Sequence, residues 1–201
     1  MIVPDETQSV PVILGIDPGT RVLGYGALSW EPRRPRMVSA GVFRANARWE
    51  ISRRLGHLAA ELERLFEELS PGIAVVESAF ASRNVRSALR LGEARGVVLA
   101  CAARAGAEVI EMAPASAKKA VLGHGAASKH QIARMVGAQL GEPELDLPED
   151  ATDALALALA HFHALSNPAT RARSVIETAA KACRARSSSP SMRSPSTRRS
   201  T

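Results

Sequence analysis

Residues 12–17 read VILGID, residues 18–21 Pro-Gly-Thr-Arg and residues 22–30 VLGYGALSW. An apolar run, a tight-turn signal and a second apolar run predict two strands joined by a hairpin. A third run, Arg36–Arg44 (RMVSAGVFR), follows after only Glu31-Pro-Arg-Arg-Pro35. Connections this short cannot form crossovers, so the three strands meander antiparallel. From Trp49 to Leu69 the period changes: Ile51, Leu55, Leu58, Leu62, Leu65, Phe66 and Leu69 recur at helical spacing, and Ser70-Pro71-Gly72 stops the helix. Gly72–Glu77 (GIAVVE) predicts a fourth strand with a carboxylate at its end, Asn84–Ala105 a long helix and Ala107–Met112 a fifth strand. Shorter helices are expected over Pro114–Leu122 and Ser128–Leu140. A last one opens near Pro148, where proline suits the first turn, and runs to about Leu165. Hairpin-linked strands followed by helical crossovers predict an α/β fold with a mixed five-stranded sheet and helices on both faces.

The chain has 201 residues, 46% of them hydrophobic, enough for one substantial core and short for two domains. The expected organisation is a flexible leader over 1–10, a folded domain over 11–167 and a Ser/Arg-rich tail over 168–201. Residues 169–201 carry eight Lys and Arg against one acid, Glu177, leaving 18 basic and 19 acidic side chains in 1–168. The net charge of +6 therefore belongs to the tail, and nucleic-acid binding has to be argued from clusters within the domain. The tail composition predicts disorder. It either adds salt-sensitive affinity for DNA or is a dispensable solvated extension. No apolar stretch approaches the roughly 20 residues of a membrane span, and no secretory pattern opens the chain. Two cysteines, Cys101 and Cys183, make no disulfide framework, so a reducing, cytoplasmic address is expected.

Four acids stand out by position. Asp17 ends the first strand, Glu77 ends the fourth, and Asp150 and Asp153 lie three apart at the start of the last helix, on one face. No basic residue sits beside each acid to neutralise it, and burying a lone charge is costly. A divalent cation makes such a cluster tolerable. Oxygen ligands without paired Cys or His favour Mg²⁺ or Mn²⁺. Two such ions about 4 Å apart suit phosphodiester hydrolysis. Taken singly, an aspartate after a strand is more often a turn residue, and Asp150 and Asp153 also suit a helix N-terminus.

Basic residues cluster twice. Arg83, Arg86, Arg90, Arg95 and Arg104 lie on the second helix, and Lys118, Lys119, Lys129, His130 and Arg134 follow later. These suit phosphate contacts, although a solvated helix face is the usual meaning of such spacing. Phe80, in the loop after Glu77, suits either stacking on an unpaired base or anchoring of the loop. Gly19 permits a tight turn, and Gly24 and Gly26 allow close backbone approach on the second strand. Ala88, Gly92, Gly96 and Ala100 form a small-residue stripe whose neighbour is the sheet, the commoner case, or a symmetry-related helix. His161 and His163 read as core or helix-face residues.

Several ordered motifs carry a resemblance: DPGTRVLGYG (17–26), Glu77 in VVESAF, Arg83-Asn84-x-x-Ser87-Ala88-x-x-Leu91-Gly92-x-Ala94-Arg95-Gly96, and PEDATDALALALAH (148–161). Over about residues 12–166 the chain resembles the RuvC family of crossover junction endodeoxyribonucleases, the Holliday-junction resolvases of bacteria. The resemblance implies a ribonuclease-H-like fold. It implies a Mg²⁺-dependent nuclease, with two ions held by Asp17, Glu77, Asp150 and Asp153 and Mn²⁺ as a substitute, that leaves 5′-phosphate and 3′-hydroxyl ends. Paired symmetric nicks in four-way junctions serve homologous recombination and DNA repair. DNA contacts by Lys118 and Lys129 and base stacking by Phe80 are implied too, and Arg83 and Arg86 become candidate DNA contacts. So are a homodimer and a branch-migration motor as partner. Ala115 stands where the family often has a basic residue, which affects DNA affinity or sequence preference.

Three other activities compete. A junction-binding module without catalysis would have no use for four acids. A nuclease of RNA or RNA–DNA hybrid would need a 2′-hydroxyl reader, which no motif supplies. Nucleotide hydrolysis, as in actin-like ATPases with a similar Asp-x-Gly-Thr turn, would need a second domain for which the chain has no room.

Overall fold

The computed structural model describes residues 12–31, 34–78, 84–122 and 129–166. The expected leader and tail, Phe80, Arg83 and the side chain of Lys129 lie outside the described residues. The elements run β1 (Val12–Asp17), β2 (Val22–Ser29), β3 (Arg36–Arg44), α1 (Ile51–Leu69), β4 (Ile73–Glu77), α2 (Val85–Arg104), β5 (Glu108–Met112), α3 (Pro114–Leu122), α4 (Lys129–Leu140) and α5 (Glu149–Ser166). Several elements begin a residue or two later than the sequence pattern suggests, because Glu50 and Asn84 are caps rather than first helical residues. The Asn84 side chain accepts a hydrogen bond from the Arg86 amide at 2.9 Å, which satisfies one of the donors a helix start leaves open. At the other end of α1, Ser70 adopts a left-handed conformation and its amide donates to the Phe66 carbonyl.

The sheet order is β3-β2-β1-β4-β5. β1 pairs antiparallel with β2 and parallel with β4, and β4 pairs parallel with β5. Alternation along the strands sorts side chains to two faces. Leu14 and Ile16 of β1 and Ala74 and Val76 of β4 pack with Leu58, Leu62 and Phe66 of α1 and Val98 and Ala102 of α2. Ile13, Gly15 and Asp17, with Val75 and Glu77, point by the same alternation to the opposite face. There α5 lies, buried almost along its whole length from Ala151 to Phe162.

Glycines set how closely α5 approaches. A Cβ on Gly15 would run into the Ala154 carbonyl, one on Gly24 into the Asp150 carbonyl and Cβ, and one on Gly26 into Leu155. The close approach expected at Gly24 and Gly26 is therefore made by α5, and Gly15 belongs with them. The stripe on α2 resolves differently from the commoner case. The face turned to the core carries Ala94, Val98, Cys101 and Ala102. Gly92 and Gly96 have open space where a Cβ would stand, and Ala100 is exposed. The stripe thus does not meet the sheet, because other small residues of α2 already fill that role.

Candidate active site

The two central parallel strands and α5 converge on one corner. Ile16 of β1 is in register with Val76 of β4, so Asp17 and Glu77 end neighbouring strands at the same level. Both point to the face that α5 covers, and Asp150 and Asp153 occupy the first turns of α5. The glycines of β1 and β2 let that helix start lie against the strand ends. The structure brings the four acids together: Glu77, Asp153 and Asp150 all act electrostatically on Asp17. Burial first, then a hydrogen bond with Glu77, then the charges of Glu77, Asp153 and Asp150 push the Asp17 carboxyl from 3.8 up to about 8. At neutral pH the protonated Asp17 carboxyl donates to the Glu77 carboxylate.

Among the described residues Asp17, Glu77 and Asp150 form no ion pair with Lys, Arg or His. A half-buried cluster of like charges fits a hard divalent cation, whose charge reverses the sense of the local repulsion. Among the described residues no group of three acids, histidines or cysteines already stands close enough to grip an ion.

The predicted basic residues separate by position. Lys118, half-buried on α3, lines a small cavity of about 80 Å³ together with Glu77 and Asp153. His130 of α4 lines a neighbouring cleft of about 240 Å³ with Glu149, Thr152 and Asp153. Lys119 and Arg134 are exposed. Arg95 pairs with Glu111 of β5 at 2.5 Å and Arg104 with Glu63 of α1 at 2.8 Å. Arg86 and Arg90 line a third cleft with Thr20, Arg21, Arg54 and Ser87. Arg21 and Arg54 have no sequence signal of their own, since only the fold brings them beside α2. His161 is buried on α5, which lowers its pKa, and His163 donates to Gln139 at 2.7 Å, both as parts of the helix packing.

The family model of crossover junction endodeoxyribonuclease RuvC matches residues 13–161. A protein of that name from Rubrobacter xylanophilus is 41% identical over 155 residues, covering 77% of this chain and 87% of its own. One from Desulfitobacterium hafniense is 42% identical over 155 residues, covering 77% and 94%. Among solved structures, Thermus thermophilus RuvC in complex with Holliday junction substrate superposes with a TM-score of 0.71 at 34% identity, over 75% of this chain and 92% of that one. The yeast mitochondrial Holliday junction resolvase, 14% identical with a TM-score of 0.54, shares the fold. The mixed sheet with its flanking helices is the ribonuclease-H-like architecture, and by the extent of these matches the chain belongs to the RuvC family of crossover junction endodeoxyribonucleases.

Proposed function

We propose that this protein is a structure-selective endodeoxyribonuclease that resolves four-way DNA junctions by paired, symmetric nicks in homologous recombination and repair. The observation that carries the reading is the meeting of Asp17, Glu77, Asp150 and Asp153 at one end of the sheet, where burial first and the other three carboxylates after it push Asp17 to about 8. Family membership and the likeness to a RuvC bound to a Holliday junction support the same substrate.

Asp17, Glu77, Asp150 and Asp153 would hold Mg²⁺, with Mn²⁺ as a substitute. When bound, such ions polarise the scissile phosphate, activate water and offset charge on the departing oxygen. The chain's own part is positional. Asp17 and Glu77 are held by the paired strands, while α5 delivers two further carboxylates from a buried, rigid helix. Lys118, in one cavity with Glu77 and Asp153, supplies a positive charge to a phosphate oxygen beside the acids. Phe80, Arg83, Arg86 and Lys129 serve as further DNA contacts, Phe80 by stacking on an opened base.

Two strands must be cut at symmetric positions and each chain has one such site, which calls for a homodimer. Val85 and Leu89, 73% and 64% exposed at the start of α2, continue the open Gly92 and Gly96 stripe and fit that interface. A branch-migration motor is the further partner, and the cytoplasm, where the buried Cys101 stays a free thiol, is the site of action.

The test is cleavage of a synthetic mobile four-way junction, against linear duplex and RNA–DNA hybrid, with Mg²⁺ or EDTA. Paired symmetric nicks on the junction alone, and only with metal, are expected. Tight junction binding without nicks under either condition would overturn the catalytic reading in favour of a recruiting module. Cleavage of the hybrid alone would reassign the substrate.

A further inference from the structure

The cleft lined by Thr20, Arg21, Arg54, Arg86, Ser87 and Arg90 has a volume of about 490 Å³, and no carboxylate lines it. It lies at the catalytic end of the sheet by topology. α1 leads into the start of β4 and α2 leaves its end, so the first turns of both helices stand beside the strand ends that carry Asp17 and Glu77. Gly19, also in its wall, is two residues from Asp17, at most about 7.6 Å between Cα atoms.

The cleft gathers four arginines in one concavity, and the two helices that wall it also carry arginines that are already engaged. Arg36, Arg64, Arg95 and Arg104 each have a glutamate partner, and Arg53 stacks on Trp49 at 4.3 Å. Among the described residues Arg21, Arg54 and Arg86 have no acidic partner, and Arg90 shares one, Glu93, along its own helix. The Arg54 Nε is buried and makes no hydrogen bond among the described residues. A guanidinium does not deprotonate, and a buried donor left unmade is costly, so the group suits an acceptor that no described residue supplies. The Thr20 and Ser87 hydroxyls add two donors of adjustable direction.

We propose that this cleft is a subsite for a single DNA backbone phosphate flanking the scissile one, with Arg54 as its floor and Arg86 as its outer wall. The proposal rests on the endonuclease reading and adds a residue, Arg54, to strand positioning. A forked guanidinium and flanking hydroxyls match a tetrahedral anion, and the short reach from Asp17 keeps it on the same strand as the carboxylates. An adjacent anchor of this kind offsets the repulsion between the acid cluster and the approaching DNA, and fixes which phosphate meets the acids.

The experiment measures junction affinity in EDTA across a salt series for wild type, Arg54→Gln and Arg86→Gln, with thermal unfolding as the check on folding. Each variant is expected to bind about tenfold more weakly, and its log–log salt slope to fall by about one. Methylphosphonates then neutralise backbone phosphates one at a time around the cut. One position should weaken wild type yet leave Arg54→Gln no weaker than it already is. Unchanged affinity and slope in both folded variants, or losses that add at every methylphosphonate position, would overturn the subsite. Arg86 is exposed, so its replacement carries the test if Arg54→Gln does not fold. A wild type that cuts junctions alongside unaffected variants sinks the subsite alone, whereas a wild type that neither binds nor cuts them sinks the endonuclease reading with it.

Discussion

Asp17 donates a hydrogen bond to Glu77 from the end of the neighbouring parallel strand, with no Lys or Arg paired to either carboxyl among the described residues. β-sheet register enforces the encounter, because Ile16 and Val76 are paired one residue earlier. The strand ends cannot drift apart without breaking the ladder. A proton is the smallest cation that quiets this repulsion, and Asp17 keeps it up to about pH 8 because burial and three other carboxylates disfavour its charge.

Stability of the metal-free protein should consequently fall as pH rises. Unfolded Asp17 loses its proton near 3.8, whereas the folded group holds it to about 8. The raised value contributes stability that is fully present below pH 3.8 and lost progressively up to pH 8. The slope from this group is at most about 1.4 kcal/mol per pH unit. Urea unfolding in EDTA between pH 5 and pH 8 measures it. Asp17→Asn, which cannot ionise, should flatten the curve and be the more stable protein at pH 8. The same variant should bind junctions normally and cut them at least about 10³-fold more slowly. A fully active Asp17→Asn protein would remove Asp17 from the chemistry.

Metal binding should expel that proton. Below pH 8 a divalent ion must displace it from Asp17, and above about pH 9 none is left to displace. Titration calorimetry with Mn²⁺ in two buffers of different ionisation enthalpy should therefore report close to one proton released at pH 7 and almost none at pH 9. Glu77→Gln removes a ligand and a partner of the proton together, and should weaken Mn²⁺ binding by at least about tenfold. Equal proton release at both pH values would mean that another group takes the ion.

Gly24→Ala should damage the site through the helix rather than through a ligand. The new methyl would meet the backbone carbonyl and Cβ of Asp150, neither of which can swing aside. Overpacking of this kind costs about 1–3 kcal/mol, and displacement of a reacting group by about 1 Å costs about 10²-fold in rate. Urea unfolding and junction cleavage should both register the change, with junction affinity nearly intact. Gly56, on the exposed side of α1 with open space around it, is the control, and Gly56→Ala should be neutral or slightly stabilising. Equal effects at the two glycines would show that the fit of α5 to β2 is not tight.

Much of this was legible in residues alone. Asp17 and Glu77 end apolar runs flanked by turn chemistry, and the spacing of Asp150 and Asp153 places both on one helical face, so strand ends and helix start announce themselves. Three features were not legible. Gly15 is one small residue inside a strand, and its role follows only from the strand parity that faces it to α5. On α2 both the buried face and the open stripe consist of small residues, so periodicity has no contrast with which to choose the sheet side. Arg54 and Arg86 lie on different helices, and no local pattern records that the first turns of α1 and α2 share a cleft. Lys118 stood out as one of a basic cluster and family resemblance singled it out, while its place beside Glu77 and Asp153 depends on how α3 packs against α5.

The open face of α2 leads to a last prediction. Leu89 is 64% exposed and Val85 73%, on the same side one turn apart. Leaving two large apolar groups in water beside a backbone-deep glycine groove wastes burial that a second copy of the helix can recover, at about 25 cal/mol per Å² of apolar surface. Leu89→Glu should therefore turn a dimer into a folded monomer, because two introduced charges would face each other across a two-fold axis. Sedimentation equilibrium at micromolar concentration reads the mass, and circular dichroism confirms that the fold persists. On a supercoiled plasmid carrying an extruded cruciform, coupled nicks from a dimer yield linear product, whereas a monomer should accumulate open circles. A Leu89→Glu protein that stays dimeric and still linearises the plasmid would place the interface on some other surface.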